Sequence, residues 1–335
     1  MPAPPSASSG AVANAWQPAP DTGVEIVEVG PRDGFQPIKP WIPTERKIDF
    51  VRRLAAVGFH RIEITSFVSD TAIPQLRDAA DVLRAASDLA GLTAQVLVPT
   101  AKRGRQALDA GATTIGYVLS ASEAHNRSNV RRSVADSIED YRGFVAGLDR
   151  PVRLRLNLAT TFDCPFTGRV APETVLAALE TLVPIREDVE LCLCDTTGRA
   201  DPAQVQALFA DVIARFPHVT RWAFHGHDTY GLGCANSYAA YSAGVRVIDG
   251  AVGGLGGCPF APGATGNTAT EDLVWMFERM GVVTGIDLDG LVAIAADAAG
   301  IPGASAGGRT RTALEAARCL APDTTTTDLP AVRPT

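Results

Sequence analysis

Eight short apolar runs, each followed by a longer stretch of helical period, constrain this chain more than any other feature. The runs are 24–29 (VEIVEV), 61–66 (RIEITS), 94–98 (AQVLV), 113–119 (TTIGYVL), 152–158 (VRLRLNL), 189–194 (VELCLC), 221–225 (RWAFH) and 247–252 (VIDGAV). Each has the length and side chains of a buried parallel strand. Eight β/α alternations over about 250 residues match a (β/α)8 TIM barrel better than an open doubly wound sheet. A length of 335 residues suggests two domains on average, but barrels of this size form one. The expectation is therefore one α/β domain over 21–320, a barrel with helices at its C-terminal end. Segments 1–20 and 321–335 hold little to bury and are expected to be disordered tails.

The intervening segments carry helix punctuation. In 201–216, Asp201 is placed to cap, Pro202 takes the first helical position, and Gln204 completes a capping box. Val205, Leu208, Phe209, Val212 and Phe216 then form an apolar stripe. A helix after Pro43 is expected to be capped by Thr44 and stopped by Gly58.

Composition narrows the function class. A net charge of −7 with scattered basic residues offers no footprint for nucleic acid or an anionic membrane. No run approaches the roughly 18 apolar residues of a membrane span, and no signal peptide is legible, so the expected compartment is the cytoplasm. Six separated cysteines without CxxC pairing suggest free thiols in a reducing environment.

In a (β/α)8 barrel, chemistry sits at the C-terminal strand ends, and the unusual polar residues fall there. His225-Gly226-His227 closes the seventh run, where spacing of two sends both imidazoles to the barrel mouth, as metal ligands or as structural histidines. Asp228 should point away and act as an orienting carboxylate. Arg32-Asp33 after the first run is either a local ion pair or a metal ligand beside a cation that can meet an oxyanion. Asp33, the histidines and Asn267 form a hard N/O set suited to Mg²⁺ or Mn²⁺, with Zn²⁺ as an alternative. The glycine-rich stretch 253–267 carries Cys258 and reads as a hinged loop with a reactive thiol, or as a turn with an incidental cysteine. Cys192 and Cys194 are expected to fill the core. Glu63 and Asp195 are strand carboxylates that need a partner, for which Arg32 or the metal would serve. Arg127, Arg131 and Arg132 would meet an anionic substrate or form a solvated charge run.

The segments EVGPRDGFQ (28–36), IEITSFVS (62–69), CDTTG (194–198), FHGHDTYG (224–231) and GGLGGCPFAPGATGNTATEDLV (253–274) closely resemble the 3-hydroxy-3-methylglutaryl-CoA (HMG-CoA) lyase family of DRE-type metallolyase barrels. The similarity runs from about residue 24 to about 285, and the HGHDTYG and GGLGGCPF segments are its most specific parts. It implies a divalent cation on Asp33, His225, His227 and Asn267, Arg32 on the thioester carbonyl, Cys258 as the catalytic thiol, and Glu63, Asp195 and Glu271 in support. The implied reaction is retro-Claisen cleavage of HMG-CoA to acetyl-CoA and acetoacetate, a step of leucine degradation. The substrate is thus an acyl-CoA, expected to meet Arg32, Gln36, Arg155 and Asn157. The expected assembly is a homodimer or higher homo-oligomer.

Departures bear on the substrate. The lyases usually continue Arg-Asp-Gly with Leu-Gln-Asn-Glu, whereas here Phe35-Gln36-Pro37-Ile38 follows, Asn157 replaces a common aromatic, and Cys194 replaces a small residue. A related thioester, citramalyl-CoA or a larger 3-substituted glutaryl-CoA, is therefore an alternative. A condensing acyltransferase resembling isopropylmalate synthase is a further one, against which the cysteine loop and the absence of HxHND argue. A non-catalytic acyl-CoA or metal sensor would not need Arg32, Asp33 and Cys258 together.

Overall fold

Each of the eight apolar runs coincides to within two residues with a strand in the computed structural model, which describes Trp16, residues 23–257 and residues 266–320. The strands are β1 (Glu25–Glu28), β2 (Arg61–Ser66), β3 (Thr93–Val98), β4 (Thr114–Ser120), β5 (Arg153–Ala159), β6 (Glu190–Asp195), β7 (Trp222–Gly226) and β8 (Val247–Gly250). All pair in parallel with their sequence neighbours, and β1 closes the barrel by pairing with both β8 (Glu28 opposite Gly250) and β2 (Glu28 opposite Ile62). Every residue of β2, including Arg61 and Glu63, is buried. In a closed parallel barrel both strand faces leave water, so polar residues pointing inward must find partners across the axis.

The helices are α1 (Thr44–Ala56), α2 (Ala79–Ser87), α3 (Ala101–Asp109), α4 (Glu123–Val130), α5 (Val134–Ala146), α6 (Pro172–Leu182), α7 (Pro202–Arg215), α8 (Gly233–Ser242), α9 (Thr270–Arg279), α10 (Leu288–Ala299) and α11 (Arg309–Leu320). The stripe on α7 is buried as expected, and Asp201 caps through the backbone N–H of Gln204 at 2.9 Å. The capping box is only half made, because the Gln204 amide donates instead to the Phe162 carbonyl. Thr44 does not cap α1. It is the first helical residue, and its hydroxyl donates to Asp78 on the neighbouring segment. Gly58 does stop α1: its φ is +111°, and a Cβ there would lie 2.3 Å from the Gly285 carbonyl oxygen.

The expected tails fall outside the described residues, Trp16 excepted. Trp16 is tied to the barrel floor: its indole donates to the Leu154 carbonyl at 3.1 Å, and its ring stacks against the guanidinium groups of Arg61 and Arg221. A two-stranded ribbon, Asp163–Cys164 with Gly168–Arg169, is an addition that the hydrophobic pattern did not announce. No helix among the described residues is long and apolar enough to cross a membrane.

Candidate active site

The turn after β1 is a π-helical one, with Gly34 N–H on the Val29 carbonyl and Phe35 N–H on the Gly30 carbonyl. The wide turn aims consecutive side chains at the barrel mouth. Gly34 lets it approach the far end of the chain, since a Cβ there would meet Leu255 at 2.7 Å. Arg32 uses Nε to hold Glu63 Oε1 at 2.5 Å and Nη1 to hold Asp33 Oδ1. Glu63 is fixed in turn by the amide of Gln95 at 2.7 Å. On β4, Gly116 leaves room for this cluster, because a Cβ would lie 3.3 Å from both Glu63 Oε2 and Asn157 Nδ2.

Across the mouth, β7 carries His225 and leads directly into His227, and the two rings sit 5.2 Å apart. One donor atom each from Asp33, His225 and His227 falls within 4.8 Å of the others. Asn267 adjoins them, donating to Asp33 Oδ2 at 2.8 Å and to the Leu255 carbonyl at 3.0 Å. Its Oδ1 is buried without a hydrogen-bond partner, as is His227 Nδ1. Two imidazoles, a carboxylate and an unsatisfied amide oxygen in one concavity fit a divalent cation.

The charges are set by the neighbours. Burial alone would raise Asp33, but Arg32 and the two histidines hold it well below the ordinary carboxylate range. Desolvation and the proximity of His225 push His227 down to about 4, leaving a neutral imidazole. Burial opposes the charge on His225, yet its bond to Asp249 and the nearby anions raise it to about 9 in the metal-free protein.

The model of the family described as HMGL-like matches residues 23–297. Hydroxymethylglutaryl-CoA lyase YngG of Bacillus subtilis is 42% identical over 273 residues, which is 81% of this chain and 91% of that protein. The (R)-citramalyl-CoA lyase of Chloroflexus aurantiacus is 40% identical over 81% of this chain and 88% of its own length. The HMG-CoA lyase of Acinetobacter baumannii, solved with coenzyme A and 3-methylmalate, superposes with a TM-score of 0.82 at 37% identity, covering 92% of this chain and 98% of that one.

The chain belongs to the HMGL-like family. Its relatives are lyases, and it is an enzyme. In this HMGL-like barrel Arg32, Asp33, Glu63, His225, His227 and Asn267 converge on one rim, and Gln36, four residues after Arg32, is half-buried. Cys258, expected as the reactive thiol, lies outside the described residues; Gly257 and Gly266, which flank that segment, pack against each other, with Gly266 leaving no room for a Cβ.

Other residues take different partners from those expected. Asp195 is paired with neither Arg32 nor the donor cluster: its oxygens accept from the backbone N–H groups of Arg199 and Ala200, and burial pushes it up to about 6. Asp228, expected as an orienting carboxylate, accepts from the Gly233 N–H at the start of α8 at 2.7 Å. Arg155 is not open to substrate. It is 1% exposed and holds Asp249 with both terminal nitrogens, at 2.9 and 2.6 Å, and Asn157 Oδ1 with Nε at 2.7 Å. Arg127 and Arg132 pair with Glu123 and Asp140, the solvated reading of that run. Glu271 is buried, accepts from Gly253 N–H, and is raised by burial to about 7. Cys192 and Cys194 are core residues as expected.

Of the departures after Arg-Asp-Gly, Phe35 and Ile38 face the core, with Phe35 edge-on to Phe50. Pro37 is the exposed one, and it packs beside Gly257.

Sequence reasoning passed over Glu28, Gln95 and Asp249. Their signal was a polar side chain inside an otherwise apolar strand. Glu28 accepts from the Gly30 and Val252 N–H groups and the Thr270 hydroxyl, so one carboxyl organises the turns after β1 and β8 and the start of α9.

Proposed function

We propose that this enzyme is a carbon–carbon lyase that cleaves HMG-CoA to acetyl-CoA and acetoacetate. The observation that carries the reading is the convergence of Asp33, His225 and His227 within 4.8 Å, beside an arginine clamped by two carboxylates, in a chain 42% identical to an HMG-CoA lyase.

The reaction requires a deprotonated 3-hydroxyl, a broken bond between C2 and C3, and a stabilised thioester enolate that is then protonated. Asp33, His225, His227 and Asn267 would hold the divalent cation, Mg²⁺ or Mn²⁺ by the hardness of the donors and Zn²⁺ as the alternative. Such an ion, when bound, lowers the pKa of an alcohol and polarises a carbonyl. Arg32 supplies the fixed positive charge. Its Nε and Nη1 are occupied by Glu63 and Asp33, and Nη2 is left to donate to the enolate oxygen as charge develops there. Glu63 and Gln95 prevent the guanidinium from turning away.

A second reading, cleavage of citramalyl-CoA or a larger 3-substituted glutaryl-CoA, is favoured by the 40% identity to a citramalyl-CoA lyase and by Pro37 and Asn157. A panel of 3-hydroxyacyl-CoA thioesters with products identified by mass decides between them. Acetyl-CoA with acetoacetate supports the first reading, and acetyl-CoA with pyruvate from citramalyl-CoA at a higher kcat/KM supports the second. No cleavage, with condensation of acetyl-CoA and a 2-oxo acid instead, overturns both.

A further inference from the structure

Beneath the donor cluster, the barrel interior holds a column of charges that the proposed chemistry does not touch. At the floor, Arg61 and Arg221 alternate with Glu25 and Glu190 in a closed ring of ion pairs, all between 2.5 and 3.0 Å. Above it Arg155 lies 3.5 Å from Glu190 and grips both oxygens of Asp249. At the top Asp249 Oδ2 meets His225 Nδ1 at 3.0 Å. Asp249 on β8 and His225 on β7 are register partners, so the pair is built on two neighbouring strands and not on loops.

We infer that Asp249, clamped by Arg155, is a positioning residue that turns His225 so that Nε2 is the nitrogen offered to the candidate metal. A ring flip would exchange Nδ1 for a carbon and cost Asp249 Oδ2 its bond to the ring, leaving that oxygen to Arg155 Nη2 alone. The carboxylate cannot follow the ring, because a planar guanidinium holds both of its oxygens, and that guanidinium is itself held by Asn157 and faces Glu190. A buried ion pair adds little stability over apolar packing. The geometric consequence of this one is a histidine with a single usable nitrogen. A carboxylate behind a ligating histidine fixes its tautomer and orientation.

The inference rests on the metal reading above, and its test separates the two. Mn²⁺ affinity is measured by electron paramagnetic resonance on the full chain, in the wild type and in Asp249→Glu and Asp249→Asn. The glutamate keeps a charge opposite Arg155 and displaces the oxygen from His225. Both variants are expected to retain the wild-type circular dichroism and to bind Mn²⁺ about 10- to 100-fold more weakly. A folded Asp249→Glu protein with affinity within twofold of wild type overturns the inference and leaves the metal reading standing. Absence of Mn²⁺ binding by the wild type overturns both. Should neither variant fold, ¹⁵N spectra of the Mg²⁺-loaded wild type decide: the His225 proton is expected on Nδ1, and a proton on Nε2 overturns the inference.

Discussion

The carboxamide of Asn267 donates to Asp33 Oδ2 over 2.8 Å, joining the segment after the last barrel strand to the turn after the first. The bond crosses the seam where β8 closes onto β1, so the candidate metal site is complete only once the barrel is. Removal of either end should be felt as lost metal affinity. His227→Ala and Asn267→Ala should each weaken Mn²⁺ binding, the histidine change by more than the roughly 100-fold seen when only an outer partner of a ligand is lost. Dialysis against a chelator should abolish thioester cleavage, and Mg²⁺ or Mn²⁺ should restore it. Full activity in metal-free protein would remove the ligand set.

Arg32 bridges Glu63 and Asp33 through two different nitrogens, which a lysine ammonium on its flexible stem cannot reproduce. Arg32→Gln is expected to lower kcat by about 10²- to 10³-fold, the usual cost of one oxyanion donor. Arg32→Lys should recover only part of that loss. Steady-state kinetics on the preferred thioester measures both, and a lysine variant with wild-type kcat would show that charge alone suffices.

Gly116→Ala tests the floor under Arg32. The new Cβ would press within 3.3 Å of Glu63 Oε2 and Asn157 Nδ2, so those side chains must shift by a few tenths of an ångström. A fall in kcat of about tenfold is expected, short of the 10²-fold that a full 1 Å misplacement costs, with Mn²⁺ affinity close to wild type.

Glu28 gives the stability a pH dependence whose sign can be stated. Burial raises its pKa from 4.5 to about 8, against the pull of its bonds to Thr270, Val252 and Gly30. The folded state therefore holds this proton more tightly than the unfolded one. The contribution is fully present below pH 4.5 and lost as pH rises through about 8, an effect on the order of a few kcal/mol. Asp195 and Glu271, raised to about 6 and about 7, act in the same direction. Glu28→Gln mimics the neutral carboxyl and should flatten the decline in melting temperature between pH 5 and 8. An unchanged slope would mean that Glu28 is ionised in the native protein.

Gly58→Ala concerns stability alone. It would place a Cβ at φ +111° and 2.3 Å from the Gly285 carbonyl, far from the rim. A loss of about 1–3 kcal/mol or more is expected from the backbone conformation and the clash, with kcat unchanged in the protein that remains folded. Urea denaturation measures it.

The barrel was legible because its signal is local. Each strand announces itself by a short apolar run and each helix by its period, and parallel strands need helical crossovers, so β/α alternation alone selects the topology. His225 and His227 were legible for the same reason, since spacing of two on a strand fixes a shared face. Arg32 and Asp33 were visible as unusual residues at a strand end. Thr44 and Gln204 misled because a hydroxyl and an amide have several acceptors within reach, and the choice depends on Asp78 and Phe162, which arrive from distant parts of the chain.

What the sequence by itself determined was therefore the order of strands and helices, the rim on which the chemistry lies, and the family. Only the tertiary structure decided which charges meet. Arg155 was open to substrate on paper and is bound to Asp249, 94 residues away. Asp195 was expected to lean on Arg32 or the cation, and its oxygens take backbone N–H groups of the turn that follows it. Glu28 and Asp249 looked like strand residues, and they organise the turns and the histidine. The reason is physical: a strand dictates which face a side chain takes, but the partner of a charge inside a closed barrel comes from across the axis, and no local pattern encodes that distance.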